Sequence, residues 1–178
     1  MTKLKESNLI FTFDDSWSHV IKFDEKNSSI YDEYMKNNLE GSKAVDFVGI
    51  KDEKTLYFID VKNQRNGNEQ IECEKQKLND IGQKVRDSLA LIIGINCTDN
   101  SSEDFKAYKR LLCCDKPNIK VILWNENDWV KVSKRLQRKN NTLTRQLKEK
   151  FSWLTELVDI DNTEQYDSQY YGFTVATD

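Results

Sequence analysis

The chain has 178 residues, of which 38% are hydrophobic and 32% charged, and its formal net charge is -3. This length and composition predict a single globular domain with a real hydrophobic core. His19 is the only histidine and the four cysteines show no paired spacing, so histidine-based triads, zinc clusters and disulfide frameworks are effectively excluded.

The sequence also argues against a membrane protein. No apolar run approaches the length of a bilayer span, and the N-terminal segment MTKLKESN lacks an apolar signal core. We therefore expect a soluble, cytoplasmic protein with no membrane partner. In that compartment Cys73, Cys97, Cys113 and Cys114 should be reduced thiols.

The N-terminal quarter predicts two short strands and a helix. The strands are Leu9–Phe13 and His19–Phe23, separated by a polar turn. The segment Ile30–Leu39 follows with apolar residues at helical spacing, and Gly41 ends it.

Two apolar runs, Ala44–Ile50 and Leu56–Val61, then predict a β-hairpin around a polar loop. If Glu53 is the centre of this hairpin, Asp46 and Asp60 face each other across it. Like charges directly opposite each other destabilise a sheet. The hairpin therefore predicts a compensating cation between or beside the two carboxylates.

Lys62 lies two residues beyond Asp60, on the same face of the strand, and supplies one positive charge. A divalent cation would supply more. The rival interpretation is a solvated surface pair of little consequence. The nearly continuous apolar run Tyr57–Val61 opposes it, because a strand covered on both sides makes an unpaired charge costly.

The middle of the chain predicts alternating helices and strands. In chain order we expect a polar loop at Gln64–Glu69, a helix at Glu72–Leu89, a buried strand at Leu89–Ile95, a helix from Ser101 to Cys113-Cys114, and a second buried strand at Asn118–Trp124. Helical connections favour parallel neighbouring strands. The expected architecture is thus α/β, with a mixed sheet flanked by helices.

The C-terminal part is polarised in charge. Two helices are expected, at Asn127–Lys139 and Thr142–Val158. Together they carry a stretch of eight basic residues: Lys131, Lys134, Arg135, Arg138, Lys139, Arg145, Lys148 and Lys150. The chain from Ser152 onward carries six acids and no Lys or Arg. The basic stretch is typical of phosphate-backbone contact, or is a solvated surface balanced by the tail. Tyr170–Val175 is expected to be a strand or a self-association segment.

The pattern Asp46-x13-Asp60-x-Lys62 across a hairpin resembles the PD-(D/E)xK nuclease superfamily. Val45 stands where that family often has proline, and Asp60 replaces the commoner glutamate. The resemblance implies a restriction-endonuclease-like core, α-β-β-β-α-β, over about residues 20–125. It would lie within a single domain, residues 1–178, that ends in a basic helical extension and acidic tail at 127–178.

For function, the resemblance implies a nuclease dependent on Mg²⁺ (or Mn²⁺), most directly a DNA endonuclease of phage defence or a mobile element. Asp46, Asp60 and the backbone carbonyl of Val61 would bind the metal, and Lys62 would orient the attacking water. In the superfamily the first helix often donates a glutamate. Glu33 is the candidate here, and Asp24 and Glu25 remain open as alternatives.

Three alternatives remain open from the sequence. The chain could be a catalytic nuclease, a non-catalytic module of the same fold that binds nucleic acid or protein, or a subunit of a larger complex. No helix-turn-helix or zinc finger is recognisable, so a partner or a homodimer would supply specificity. Asn63, Gln64 and Arg65 follow the motif directly and are candidates for contact with the phosphate backbone.

Overall fold

The computed structural model describes residues 1–25, 41–65, 74–95, 102–126 and 134–178. These residues form eight strands and four helices of an α/β fold. In chain order they are β1 (Thr2–Glu6), β2 (Leu9–Phe13), β3 (Trp17–Lys22), β4 (Phe47–Lys51), β5 (Thr55–Asn63), α1 (Glu74–Gly94), α2 (Glu103–Leu112), β6 (Asn118–Glu126), α3 (Lys134–Phe151), β7 (Val158–Asp161), α4 (Ser168–Tyr171) and β8 (Phe173–Thr177).

The strands form two sheets. The larger sheet is mixed and has the order β3-β4-β5-β6-β7, with β3, β4 and β5 antiparallel and β6 and β7 parallel to β5. The smaller sheet, β1-β2-β8, is entirely antiparallel. The expected mixed sheet is thus confirmed, and the small sheet adds a second layer.

The large sheet is covered on both faces, because its central strands are apolar on both sides. Leu56 and Phe58 of β5 pack in the core shared with helices α1, α2 and α3. Tyr57, Ile59 and Val61 pack in a second, aromatic core shared with the small sheet. Strand residues alternate between faces, so the odd-numbered residues of β5 face the small sheet and the even-numbered ones face the helices.

The predicted hairpin is confirmed in both place and register. Phe47 pairs with Ile59, so the preceding residue, Asp46, comes opposite Asp60. The turn is tighter than expected, since Lys51 pairs with Thr55. Asp52 and Glu53 make this possible by adopting left-handed φ angles of 51° and 55°. Aspartate is one of the few non-glycine residues enriched in that region.

The predicted strand at Leu89–Ile95 is wrong, because this segment continues helix α1 to Gly94. Val85, Leu89 and Ile92 recur at helical spacing and are buried in the helix-side core. Strand β6 pairs directly with β5. A short apolar run fits a buried strand and a buried helix equally well. Here the place beside β5 is taken by β6, and the segment packs against the sheet as a helix.

The C-terminal helices also differ from expectation. Residues 134–151 form one continuous helix, α3, where two helices separated near residue 140 were predicted. The helix ends at Phe151, and the following segment forms β7 at the edge of the large sheet. The predicted strand at Tyr170–Val175 begins later, at Phe173, because Gly172 has a φ of 70° and ends α4.

Several expectations fall outside the described residues. They are the helix at Ile30–Leu39 with Glu33, the part of the loop at residues 66–69, and the helix start at residues 127–133. Within the described part of the chain, no helix combines the length and the apolar character that crossing a membrane requires.

Candidate metal and phosphodiester site

The two carboxylates of the hairpin lie on the helix-facing side of the large sheet. The Asp60 side chain is fully buried and that of Asp46 is 5% exposed. They point in the same direction as Leu56 and Phe58, toward α1: Asp60 alternates with these residues along β5, and Asp46, just before β4, extends the register of the hairpin by one residue. The sheet therefore places two acids together in a dry environment, as the sequence predicted.

Helix α1 supplies a cation that the sequence analysis missed. Lys84 Nζ lies 2.5 Å from Asp60 Oδ1 and 3.3 Å from Asp46 Oδ1. Burial alone would lower the pKa of Lys84, but the charges of Asp60 and Asp46 outweigh it and raise the pKa above its ordinary value. Lys84 is thus a protonated ammonium that bridges both acids.

Asp46 is held in place by the backbone of the facing strand. The Val61 N–H donates a hydrogen bond of 2.5 Å to Asp46 Oδ2. Burial, followed by the negative charge of Asp60, raises the pKa of Asp46 well above its ordinary value. The pair therefore strongly favours an additional positive charge.

Asp60 keeps one oxygen unsatisfied. Among the described residues, Asp60 Oδ2 has no hydrogen-bond partner although the side chain is fully buried. A buried carboxylate oxygen without a partner is costly, and a bound water or cation would remove that cost.

The motif lysine lies near the acids but is bonded elsewhere. Lys62 Nζ donates a 2.9 Å hydrogen bond to Asp80 Oδ2 of α1, and Lys43 Nζ lies 2.7 Å from Asp80 Oδ1. Burial alone would lower the pKa of Lys62, yet the charge of Asp60 and the bond to Asp80 raise it. Lys62 is therefore on the same side as Asp60, with its ammonium tethered by Asp80.

A second group of carboxylates borders the first. Ligand oxygens of Glu6, Asp24 and Asp46 all lie within 4.8 Å of one another. A backbone bond of 2.8 Å from the Phe23 N–H to the Asp46 carbonyl brings Asp24 beside Asp46. Burial, and then the charge of Glu6, raises the pKa of Asp24. In the described part of the chain, Asp24 Oδ1 also has no hydrogen-bond partner.

These donors fit a hard divalent cation. All are carboxylate oxygens, which Mg²⁺ and Mn²⁺ accept, and no histidine or thiolate is among them. Asp60 Oδ2 and Asp24 Oδ1 are buried oxygens to which such a cation would give a partner. Of the N-terminal acids considered from sequence, Asp24 is thus placed beside Asp46, while Glu25 is exposed.

The polar residues after the motif are used within the protein. Asn63 Nδ2 donates to the Ser7 carbonyl at 2.6 Å, and Lys77 Nζ donates to Gln64 Oε1 at 2.5 Å. Arg65 Nη2 lies 2.6 Å from the fully buried Glu126 carboxylate. These contacts fix the end of β5 rather than leaving the three side chains of 63–65 to face a substrate.

A sequence signal could have indicated Lys84 as part of the site, but not Glu6. Lys77, Asp80 and Lys84 recur at helical spacing beside the apolar stripe that contains Leu78 and Ile81. That pattern is a usable signal for charged groups directed at a site. Glu6 had no comparable signal, because only the packing of β1 against β3 brings it to Asp46.

Two surface grooves lie beside the elements that carry the candidate site. One, of about 710 Å³, lies between β1 and β3 and is lined partly by Lys3, Lys5, Glu6 and Lys22. The other, of about 510 Å³, lies between α1 and the end of α3.

The second groove combines basic and aromatic groups. Arg86 and Lys150 line it together with Trp153, which is 62% exposed. Arg145 and Lys148, farther back on α3, are also exposed. The side chains of the predicted basic residues at 131–139 lie outside the described ones.

Comparison with known proteins adds no identification. No protein-family model matches the chain, and neither the curated proteins nor the solved structures contain a match. The candidate site therefore depends on its own geometry.

Proposed function

We propose that this protein is a metal-dependent phosphodiesterase that cleaves nucleic acid, most directly a DNA endonuclease. The observation that carries this proposal is the buried pair Asp46 and Asp60, one oxygen of which has no partner among the described residues. A stable fold does not need two acids facing each other in a dry core. A cation site does.

The arrangement of strands supports the finer fold proposed here, a restriction-endonuclease-like core. Asp60 lies on β5 of the antiparallel hairpin β4-β5 and Asp46 immediately precedes β4; a helical connection leads from the hairpin to β6, which is parallel to β5. The motif lysine Lys62 is on the same strand as Asp60 and on the same face.

Each protein group has a distinct role in the proposed reaction. Asp46 and Asp60 would hold Mg²⁺ or Mn²⁺, with the carbonyl of Val61 as a third ligand and Glu6 and Asp24 as further oxygens. Such an ion lowers the pKa of a bound water and neutralises charge on the scissile phosphate. Lys62, restrained by Asp80, would orient the attacking water and stabilise the charge that develops on the phosphate.

The substrate would approach along basic surfaces. Lys3, Lys5 and Lys22 line the groove that reaches Glu6. Arg86, Lys150 and the exposed Trp153 line the other groove. Lysine and arginine neutralise backbone phosphates, and an exposed tryptophan offers a base-stacking surface. Charge thus favours an anionic partner over a neutral one, and the exposed tryptophan favours one with bases that can stack.

The test is a cleavage assay on DNA and RNA, single- and double-stranded, with Mg²⁺, Mn²⁺ or chelator. We expect metal-dependent cleavage by the wild type and none by Asp60→Asn. Lys62→Ala should lose turnover, whereas Lys54→Ala is the matched control, a lysine exposed in the turn of the same hairpin. Cleavage that survives Asp60→Asn would refute the proposed site.

A specific observation also favours a second candidate, a non-catalytic binding module. Lys84 already neutralises part of the charge of the two acids, as a structural ion pair would. A wild type that binds nucleic acid in chelator and cleaves none of these substrates would support this candidate instead.

A further inference from the structure

The Lys84 ammonium contacts both acids of the hairpin. Its side chain is 15% exposed, and it touches Asp46 and Asp60 together, at 3.3 and 2.5 Å. With the two carboxylates ionised, the three side chains carry a net charge of about -1, so one lysine leaves the pair incompletely neutralised. A divalent cation that takes the place of Lys84 would balance the two carboxylates completely.

The backbone that carries Lys84 is firmly fixed. Its neighbours Ile81 and Val85 are fully buried in the helix-side core. Ser88, one turn farther along α1, accepts a 3.1 Å hydrogen bond from the Val45 N–H, which ties the helix to the residue before Asp46. Any change in the position of the ammonium must therefore come from the side chain.

The lysine side chain can make that change. Four methylene groups separate the ammonium from the helix, and lysine makes no directional fork that would lock it. The carboxylate of Asp80 lies one turn earlier on the same helix, near enough to favour the charged form of Lys84. Asp80 already binds Lys62 and Lys43, so a displaced Lys84 ammonium would move along the helix surface toward solvent, with Asp80 lowering the cost of keeping its charge.

We propose that Lys84 is an exchangeable counter-ion: its ammonium holds Asp46 and Asp60 in the cation-free protein and leaves them when a divalent cation binds. This inference rests on the proposed function only in taking these two carboxylates as cation ligands. It follows that Lys84 competes with the cation and sets the concentration at which the site fills.

The wild-type protein provides the first test. Amine-reactive labelling followed by peptide mass spectrometry is performed in chelator and across a Mg²⁺ or Mn²⁺ titration. We expect labelling of Lys84 to rise several-fold, with the same midpoint as the cation-induced rise in Tm. Lys77 is the internal control, because it is buried on the same helix but bonds to the neutral Gln64 and Asn125.

Two variants provide the second test. Lys84→Gln removes the competing charge, so Tm in chelator should fall while the cation midpoint shifts to roughly tenfold lower concentration. Lys84→Arg keeps a charge and should retain a midpoint close to that of wild type. Lys77→Gln, the matched control, should leave the midpoint unchanged.

Each outcome decides the proposal. The proposal is overturned if the cation binds without increasing the labelling of Lys84. It is also overturned if the Lys84→Gln variant no longer responds to the cation, or if the wild type binds neither Mg²⁺ nor Mn²⁺. If Lys84→Gln does not fold, the labelling of the wild type decides. If the cation displaces Lys84 as described but no nucleic acid is cleaved, this inference holds and the proposed nuclease activity is refuted.

Discussion

Lys62 Nζ donates a 2.9 Å hydrogen bond to Asp80 Oδ2, so a carboxylate of helix α1 restrains the lysine of the Asp-x-Lys motif. Lys43 binds the other oxygen of Asp80 at 2.7 Å. Asp80 is only 11% exposed, which strengthens these contacts relative to surface ion pairs. We therefore regard Asp80 as a positioning residue for Lys62.

Asp80→Asn should lower stability in a pH-dependent way. Burial alone would raise the pKa of Asp80, but the hydrogen bonds from Lys43 and Lys62 hold it below its ordinary value. The stabilisation is then fully present above the unfolded pKa of about 3.9 and is lost as the pH falls through the folded pKa. We expect the variant to lose about 1–2 kcal/mol at pH 7.

Urea unfolding of wild type and Asp80→Asn between pH 7 and pH 2.5 measures this difference, which should shrink below about pH 4. Asp52→Asn, in the exposed turn of the β4-β5 hairpin, is the control and should change the unfolding free energy much less. A constant difference between wild type and Asp80→Asn over the whole range would contradict the assignment.

Asp46→Asn and Asp60→Asn should differ in stability although the two acids face each other. Asp60 makes the shorter contact with Lys84 and is fully buried, so its loss should cost about 3 kcal/mol in chelator. Asp46 carries a raised pKa from burial and the charge of Asp60. Its neutralisation relieves that repulsion and should change stability by less than about 1 kcal/mol. Denaturant unfolding in chelator compares them, and equal losses would show that Lys84 does not discriminate between the acids.

Glu6→Gln should weaken cation binding without removing the fold. Glu6 lies within 4.8 Å of Asp24 and Asp46 but also pairs with Lys22 at 2.8 Å. We expect the concentration of Mg²⁺ or Mn²⁺ at half-maximal thermal stabilisation to rise roughly tenfold. Glu25→Gln, an exposed acid next to Asp24, serves as control. An unchanged midpoint in Glu6→Gln would exclude Glu6 from the site.

Trp153→Ala should weaken binding of single-stranded nucleic acid. The indole is 62% exposed beside Arg86 and Lys150, which places it where a base can stack. Loss of one stacking contact is worth about 1–3 kcal/mol, so Kd should rise about tenfold or more. Trp153→Phe keeps an aromatic surface and should retain most of the affinity. Fluorescence anisotropy with a labelled oligonucleotide measures this, and equal affinity for the alanine variant would argue against the groove.

The exposed cations of helix α3 should control the salt dependence of binding. Replacing Arg145 and Lys148 with glutamine should reduce the slope of log K against log salt by about 0.7 for each lost contact with a single strand. The same titration on a variant of Lys134, Arg135 and Arg138 tests the rest of the basic stretch. A slope identical to that of wild type in both variants would show that the basic residues of α3 are solvated and do not contact nucleic acid.

The hairpin could be predicted because its signals are local. Alternation along β4 and β5, together with a polar turn, determines which residues face each other, and the register of Phe47 with Ile59 follows from it. The same reasoning located Lys62 on the face of Asp60. These inferences needed no knowledge of the rest of the fold.

The remaining parts of the site depend on packing between distant elements. Lys84 reaches Asp60 only because α1 crosses the helix-facing side of the sheet, and Glu6 reaches Asp46 only because β1 lies beside β3. The segment Leu89–Ile95 was misassigned for a related reason. Its apolar composition does not distinguish strand from helix, and the distinction comes from the direct pairing of β5 with β6.

The small sheet has a consequence for the order in which the site forms during synthesis. Glu6 is on β1, β1 pairs with β2, and β2 is completed on its other edge by β8, which follows every other described element of the chain. A nascent chain lacking β8 leaves Phe11 and Phe13 without the facing Phe173 and Val175. The cluster of Glu6, Asp24 and Asp46 should therefore assemble only after β8 has been synthesised and the aromatic core has closed.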